Sequence, residues 1–266
     1  MSFGQTAFLL IAGLLAGALN SVAGGGGFIA FPAMLFAGIA PIEANASQTI
    51  ALWPGGVASI GAYRREYVSG NQKILLPLFL ISFVGALAGA LLLLHTPQAM
   101  FVRLIPWLLL TATLLFALGG KAMGMIRRRV QAAADALHAT EEAAPISKLA
   151  LIGGTVVQFV FAIYIGYFGA GAGILILSLL TMMGLEKIHT MNAFKVILVA
   201  IGNGVALVTF IVAHKVEWPA AITMMLGAIV GGYAGAWYAQ KLNPRHVRYF
   251  VIFVGASMTA YFFLKH

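Results

Sequence analysis

"SVAGGGGFIAFPAML", residues 21–35, places four consecutive glycines, Gly24 to Gly27, inside an apolar run. Each glycine in a helix interior costs about 0.5–1 kcal/mol relative to alanine. A chain that spends four of them here is breaking a helix for a purpose. Around the run, 61% of the 266 residues are hydrophobic and 9% are charged, where a soluble domain carries about 25% charge. Apolar stretches of bilayer-spanning length recur along the chain, the pattern of an all-α polytopic membrane protein. The net charge of +9 comes from basic residues between the apolar runs, where positive-inside placement puts them. No basic–aromatic motif points to nucleic acid. The absence of cysteine excludes disulfides and thiolate metal sites. Residues 6–23 have the apolar core of a signal peptide, but no Lys or Arg precedes them, so a cleaved leader is not expected.

The apolar segments read as 5–38, 46–63, 74–95, 101–120, 149–184, 190–213, 218–240 and 245–264. Residues 121–147, "KAMGMIRRRVQAAADALHATEEAAPIS", are Ala-rich and charged and read as a partly helical cytoplasmic linker. They divide an N-terminal transmembrane repeat, 1–120, from a C-terminal one, 148–266. Shifting the first half by 147 residues brings Asn45-Ala46 onto Asn192-Ala193, Pro97 onto Pro244 and Gly24 onto Gly171. A shift of 146 brings Gly85 and Gly89 onto Gly231 and Gly235. The halves are therefore expected to be homologous.

Segments 5–38 and 149–184 are too long for one crossing: a helix of either length measures about 50 Å against a hydrocarbon core of about 30 Å. Each is either a tilted span with a broken end or a hairpin that re-enters on its own side. If they span, Arg103, Lys187, Lys241, Arg245 and Arg248 all lie opposite the linker. If they re-enter, only Arg103, Lys215 and Lys265 do. The stronger asymmetry favours the hairpins. Three full crossings per half then make the second half inverted relative to the first, with both termini outside.

Paired Gly-interrupted segments point to a transporter's binding site, because broken backbone survives at membrane depth only where protein or a cavity satisfies it. Gly24, Gly25, Gly26, Gly27, Gly169, Gly171 and Gly173 are assigned to that cavity. The spaced pairs Gly85/Gly89 and Gly231/Gly235 are assigned to close helix packing. "EANASQTIAL", 43–52, and "TMNAFKVILV", 190–199, head matching helices. The shift sets Gln48 opposite Lys195, each three residues after an asparagine, Asn45 or Asn192, and so on one face with it. The asparagines serve as N-caps, as ligands, or as both. Lys195 either snorkels to the headgroups or faces the interior as counter-ion to an anion. No Asp or Glu falls at mid-membrane, which disfavours cation transport. His189 and His214 read as ordinary interfacial residues. No catalytic, metal-binding or phosphate-loop motif occurs, so neither an enzyme nor a cofactor is expected.

The stretch "GLLAGALNSVAGGGGFIAFPAMLFAGIAPIEANASQTIALWPG", 13–55, resembles the signature of the TauE/SafE sulfite exporter family. "GYFGAGAGILILSLLTMMGLEKIHTMNAFK", 166–195, resembles that signature's repeat. The resemblance covers about residues 8–265. It implies a multi-pass bacterial inner-membrane transporter for sulfite, sulfoacetate or related organosulfonates, with Gly24–Gly27, Asn45, Gln48, Gly169, Gly171, Gly173, Asn192 and Lys195 along its pathway. The expected partners are a small anion and membrane lipid, and a homodimer is allowed. A passive anion channel and a non-transporting assembly protein are the rival readings.

Overall fold

The computed structural model describes residues 1–62, 72–136, 148–185, 188–239 and 244–265, and every regular element in them is an α-helix. The protein is a polytopic helical membrane protein. The first half contains α1 (Phe3–Ala23), α2 (Gly27–Phe36), α3 (Pro41–Ala62), α4 (Gln72–His95) and α5 (Gln98–Ala136). The second contains α6 (Lys148–Tyr167), α7 (Ala172–Met182), α8 (Ile188–Val212), α9 (Trp218–Ala239) and α10 (Pro244–Lys265). Corresponding helices begin at a nearly constant offset: Pro41 and Ile188 differ by 147, Gln98 and Pro244 by 146, Gly27 and Ala172 by 145. Among the described residues α1, α4, α5, α8 and α9 are long and apolar enough to cross a membrane. The expected linker is in part a continuation of α5, which runs unbroken to Ala136; residues 137–147 lie outside the described residues.

Each long segment is a hairpin. α1 opens with a capping box, in which the Ser2 side chain accepts from the Gln5 backbone and the Gln5 side chain accepts from the Ser2 backbone. Gln5 Nε2 also donates to Ala37 O at 3.0 Å, so α2 ends beside the start of α1. In the second half, a methyl group placed on Gly154 near the start of α6 would lie 2.5 Å from the sulfur of Met183, just past α7. The same end of the molecule that holds Gln5 and Ala37 also gathers Gln98, Lys215 and the last turns of α10, where Tyr261 stacks edge-on to Phe36.

The halves interlock by exchange. α1 packs along α9, and α4 along α6. Both contacts are backbone to backbone, which explains the spaced glycines. A methyl on Gly231 would lie 1.9 Å from Leu14 O, one on Gly89 2.0 Å from Ile163 O, and one on Gly166 2.0 Å from Ala86 O. Without a hydrophobic drive between helices in lipid, such close approach is what holds them together. The α4–α6 seam adds a buried clasp, Gln158 Nε2 donating to Ser82 Oγ at 2.7 Å.

Substitution separates these seam glycines from idle ones. Gly89→Ala and Gly231→Ala should each lower the melting temperature of the detergent-purified protein, by an overpacking cost of about 1–3 kcal/mol. Gly153→Ala, which meets open space, should leave it unchanged or raise it. Equal effects at the three positions would refute the seam.

Candidate functional site

The four glycines of the opening run do four different things. Gly24 adopts the left-handed conformation (φ 72°) that ends α1, its N–H closing on Asn20 O at 2.9 Å. Gly25 abuts Val251, where a Cβ would come within 3.0 Å of a methyl carbon. Gly26 lies against the last turns of α1, a Cβ there falling 2.6 Å from Ala16 O. Gly27 begins α2 and leaves room for Gln48, whose Oε1 would be 3.4 Å from a Cβ at that position. In the second hairpin Gly169 and Gly171 are both left-handed, at φ 75°. The Tyr164 hydroxyl pins this break by donating to Ala170 O at 2.7 Å. Gly173 makes room for Lys195, the Cδ of which would be 3.4 Å from a Cβ there.

α3 and α8 carry the polar side chains that meet these tips. Asn45 Nδ2 donates to Tyr167 O at 3.1 Å, and Gln48 Nε2 donates to Asn45 Oδ1 at 3.1 Å. Lys195 Nζ donates to Asn192 Oδ1 at 3.0 Å. Neither asparagine is an N-cap: each lies a turn inside its helix, where it orients the longer side chain three residues on. Asn45 does more, since its amide satisfies a carbonyl that the break in the other half exposes. Trp53 makes a second such crossing, donating from Nε1 to Ala200 O at 2.9 Å.

Between the tips, α3, α8 and α9 lies a cavity of about 790 Å³, within the range that holds small ligands. Gly24, Gly27, Gln48, Gly169, Gly171, Gly173 and Lys195 line it. Lys195 therefore faces the interior instead of snorkelling, and it is the one charged residue among the described residues of the lining. Gly25, Gly26, Asn45 and Asn192, also expected on the pathway, stand behind the wall: the glycines pack the first hairpin and the asparagines hold Gln48 and Lys195. The wall also contains Asn20, Trp53 and Asn203, which were not anticipated. Asn203 had a signal, as a polar residue between two glycines in mid-helix, "GNG" at 202–204. Among the described residues no group of His, Asp and Glu gathers to hold a metal.

The cavity extends along α3 to Ala58 and along α9 to Tyr233, toward the end where the linker lies. The opposite end is shut by packed rings. Phe31 contacts Phe101 and Phe168 edge-on, with centroids at 6.3 and 5.3 Å, and Phe101 contacts Tyr167 at 5.8 Å. Above the rings Glu43 pairs with Lys215 at 3.0 Å and accepts from Gln98, while Ser47 Oγ accepts from the Glu217 backbone at 2.9 Å.

The family model described as "Sulfite exporter TauE/SafE" matches residues 9–262. The chain is 29% identical over 260 residues to "Probable membrane transporter protein ORF9" of Sinorhizobium sp, covering 97% of this chain and 92% of that protein. It is 29% identical over 255 residues to "Probable membrane transporter protein YfcA" of Escherichia coli (strain K12), covering 95% and 87%. A "Probable membrane transporter protein" of Haemophilus influenzae is 26% identical over 256 residues, covering 96% and 92%. No solved structure matches the chain significantly.

The asparagine relay makes its own prediction. Asn45→Ala strands a buried carbonyl at Tyr167 and a buried amide on Gln48, each at a cost of about 1–3 kcal/mol. It should lower the melting temperature more than Asn192→Ala, which frees only a partly exposed lysine. A smaller effect for Asn45→Ala would contradict the relay.

Proposed function

The chain belongs to the sulfite exporter TauE/SafE family, and from that premise we propose that it is a secondary transporter of small sulfur-containing anions, sulfite or organosulfonates such as sulfoacetate, in the bacterial inner membrane. Membership supports the coarser statement that it is a multi-pass membrane transporter. The observation that carries the anion is Lys195, the one charged residue among the described residues of a cavity otherwise walled by glycine backbone, amides, hydroxyls and apolar side chains. A half-buried cation within a membrane protein favours a counter-charge, and the described residues of the lining offer no carboxylate. The starts of α2 and α7 border the same space. Several of their first N–H groups turn back onto the preceding loop, Phe28 onto Gly25 O at 3.1 Å and Ile174 onto Gly171 O at 3.1 Å, so what the helix starts offer an anion is the partial positive charge of the helix dipole.

In this reading, cargo enters from the linker end, pairs with Lys195 and is held from the far side by the aromatic plug and the Glu43–Lys215 pair. Transport then requires the plug to open as the linker end closes. We read the halves as inverted repeats, with six crossings and two re-entrant hairpins, because inverted halves supply two alternative closures around one site. A cavity shut at one end also favours alternating access over the passive channel.

Two experiments test this. The purified protein should be stabilised by sulfite or a sulfonate and not by chloride, since a ligand of the folded state adds RT ln(1 + [L]/Kd). Lys195→Ala should abolish that shift and counterflow in proteoliposomes while the protein still folds; retained counterflow would overturn the role of Lys195. Because the chain lacks cysteine, single cysteines report topology cleanly. Phe3→Cys should label from outside the cell and Met125→Cys only from inside, and labelling of both from one side would sink the crossing pattern.

A further inference from the structure

We infer that Gln48 is a specificity residue that accepts a hydrogen bond from the cargo, so that the transported anion carries an O–H or N–H donor besides its charged group. This rests on the anion reading above and adds a second requirement to it.

The orientation of Gln48 follows from a chain of one-way hydrogen bonds. The Tyr167 carbonyl can only accept, so Asn45 must turn Nδ2 toward it, at 3.1 Å. That leaves Asn45 Oδ1, which also only accepts, so Gln48 must turn Nε2 to it, at 3.1 Å. Flipping Asn45 would lose both bonds, and flipping Gln48 would lose its bond to Asn45. Gln48 Oε1 is thereby fixed as the outward group. It is buried, has no hydrogen-bond partner, and belongs to a side chain only 4% exposed. It lies beside Gly27, next to the point where Gly27 faces Ala170 of the other hairpin. Gln48 and Gly27 both line the cavity, and Gly27, with no side chain, lies against the oxygen. A small displacement of the first turn of α2 uncovers it. On the opposite half, Lys195 occupies the corresponding position beside Gly173.

The site thus offers a cation from one half and an acceptor from the other. An anion with acceptors only, such as sulfate, satisfies Lys195 and leaves the Gln48 oxygen facing a lone pair. A hydroxy- or ammonio-alkanesulfonate, or the protonated form of sulfite, satisfies both. A site built around such a buried polar group discriminates against the analogue that lacks the matching partner.

The test compares binding of aminoethanesulfonate, hydroxyethanesulfonate and ethanesulfonate, which differ at one terminal group, to the purified full-length protein. The wild type should bind the first two about tenfold or more tightly than the third. Gln48→Met should remove that preference while the sulfonate group still binds at Lys195. If ethanesulfonate binds the wild type as well as the others, or the preference survives Gln48→Met, the acceptor role is wrong while the anion site stands. If none of the three binds, the organosulfonate reading fails and the Gln48 role fails with it. The wild-type comparison needs no variant to fold.

Discussion

Backbone that leaves a helix within the hydrocarbon layer must find hydrogen-bond partners in the protein, because lipid has none to offer. Two helices here stop inside the protein, at Gly24 and just after Tyr167, and the arrangement of the rest follows from what those stops expose. α3 sends Asn45 across to the Tyr167 carbonyl, and Tyr164 folds its hydroxyl onto Ala170 O. The starts of α2 and α7 remain turned toward the cavity. The exchanged seams, α1 on α9 and α4 on α6, hold each hairpin against the opposite half. The breaks are thus stabilised by contacts between the halves, and the site they form belongs to neither half alone.

How much of this was readable in the sequence depended on the range of the interaction. Helix existence, the two breaks and the pairing of Gln48 with Lys195 follow from apolar length, glycine density and the 147-residue offset, all of which are periodic features of the chain. The seam role of Gly89 and Gly231 follows from small residues spaced one turn apart. The separate tasks of Gly24 to Gly27 were hidden, because glycine looks the same whether it takes a positive φ, admits a neighbouring backbone or opens a wall. Gly26 is the instructive case: its neighbour is Ala16 O, within its own hairpin, and only the folded chain tells that apart from a cavity. The bonds Trp53–Ala200 and Glu43–Lys215 were equally invisible, since nothing local to either residue names a partner so far along the chain.

The offset also shows where the halves have diverged. Tyr167 and Phe168, half of the aromatic plug, correspond to Asn20 and Ser21. Asn20 and Ser21 line the open part of the cavity. Two identical inverted halves would close either end equally well. Here one set of positions carries large rings and the other small polar groups. Each buried aromatic ring brings a large apolar area, and edge-to-face pairs add about 0.5–1.5 kcal/mol beyond it. The polar set gains little from closing and can be solvated when open. On the proposed alternating-access cycle, this asymmetry favours the conformation observed, shut at the plug and open toward the linker. A ligand shifts such an equilibrium only by its difference in affinity between the two states. An acceptor roofed by Gly27 in this conformation and reached when α2 moves is one way for cargo to bind the other conformation better. By that argument the glycine run contributes to the cavity wall and also allows the movement of the hairpin that bears it.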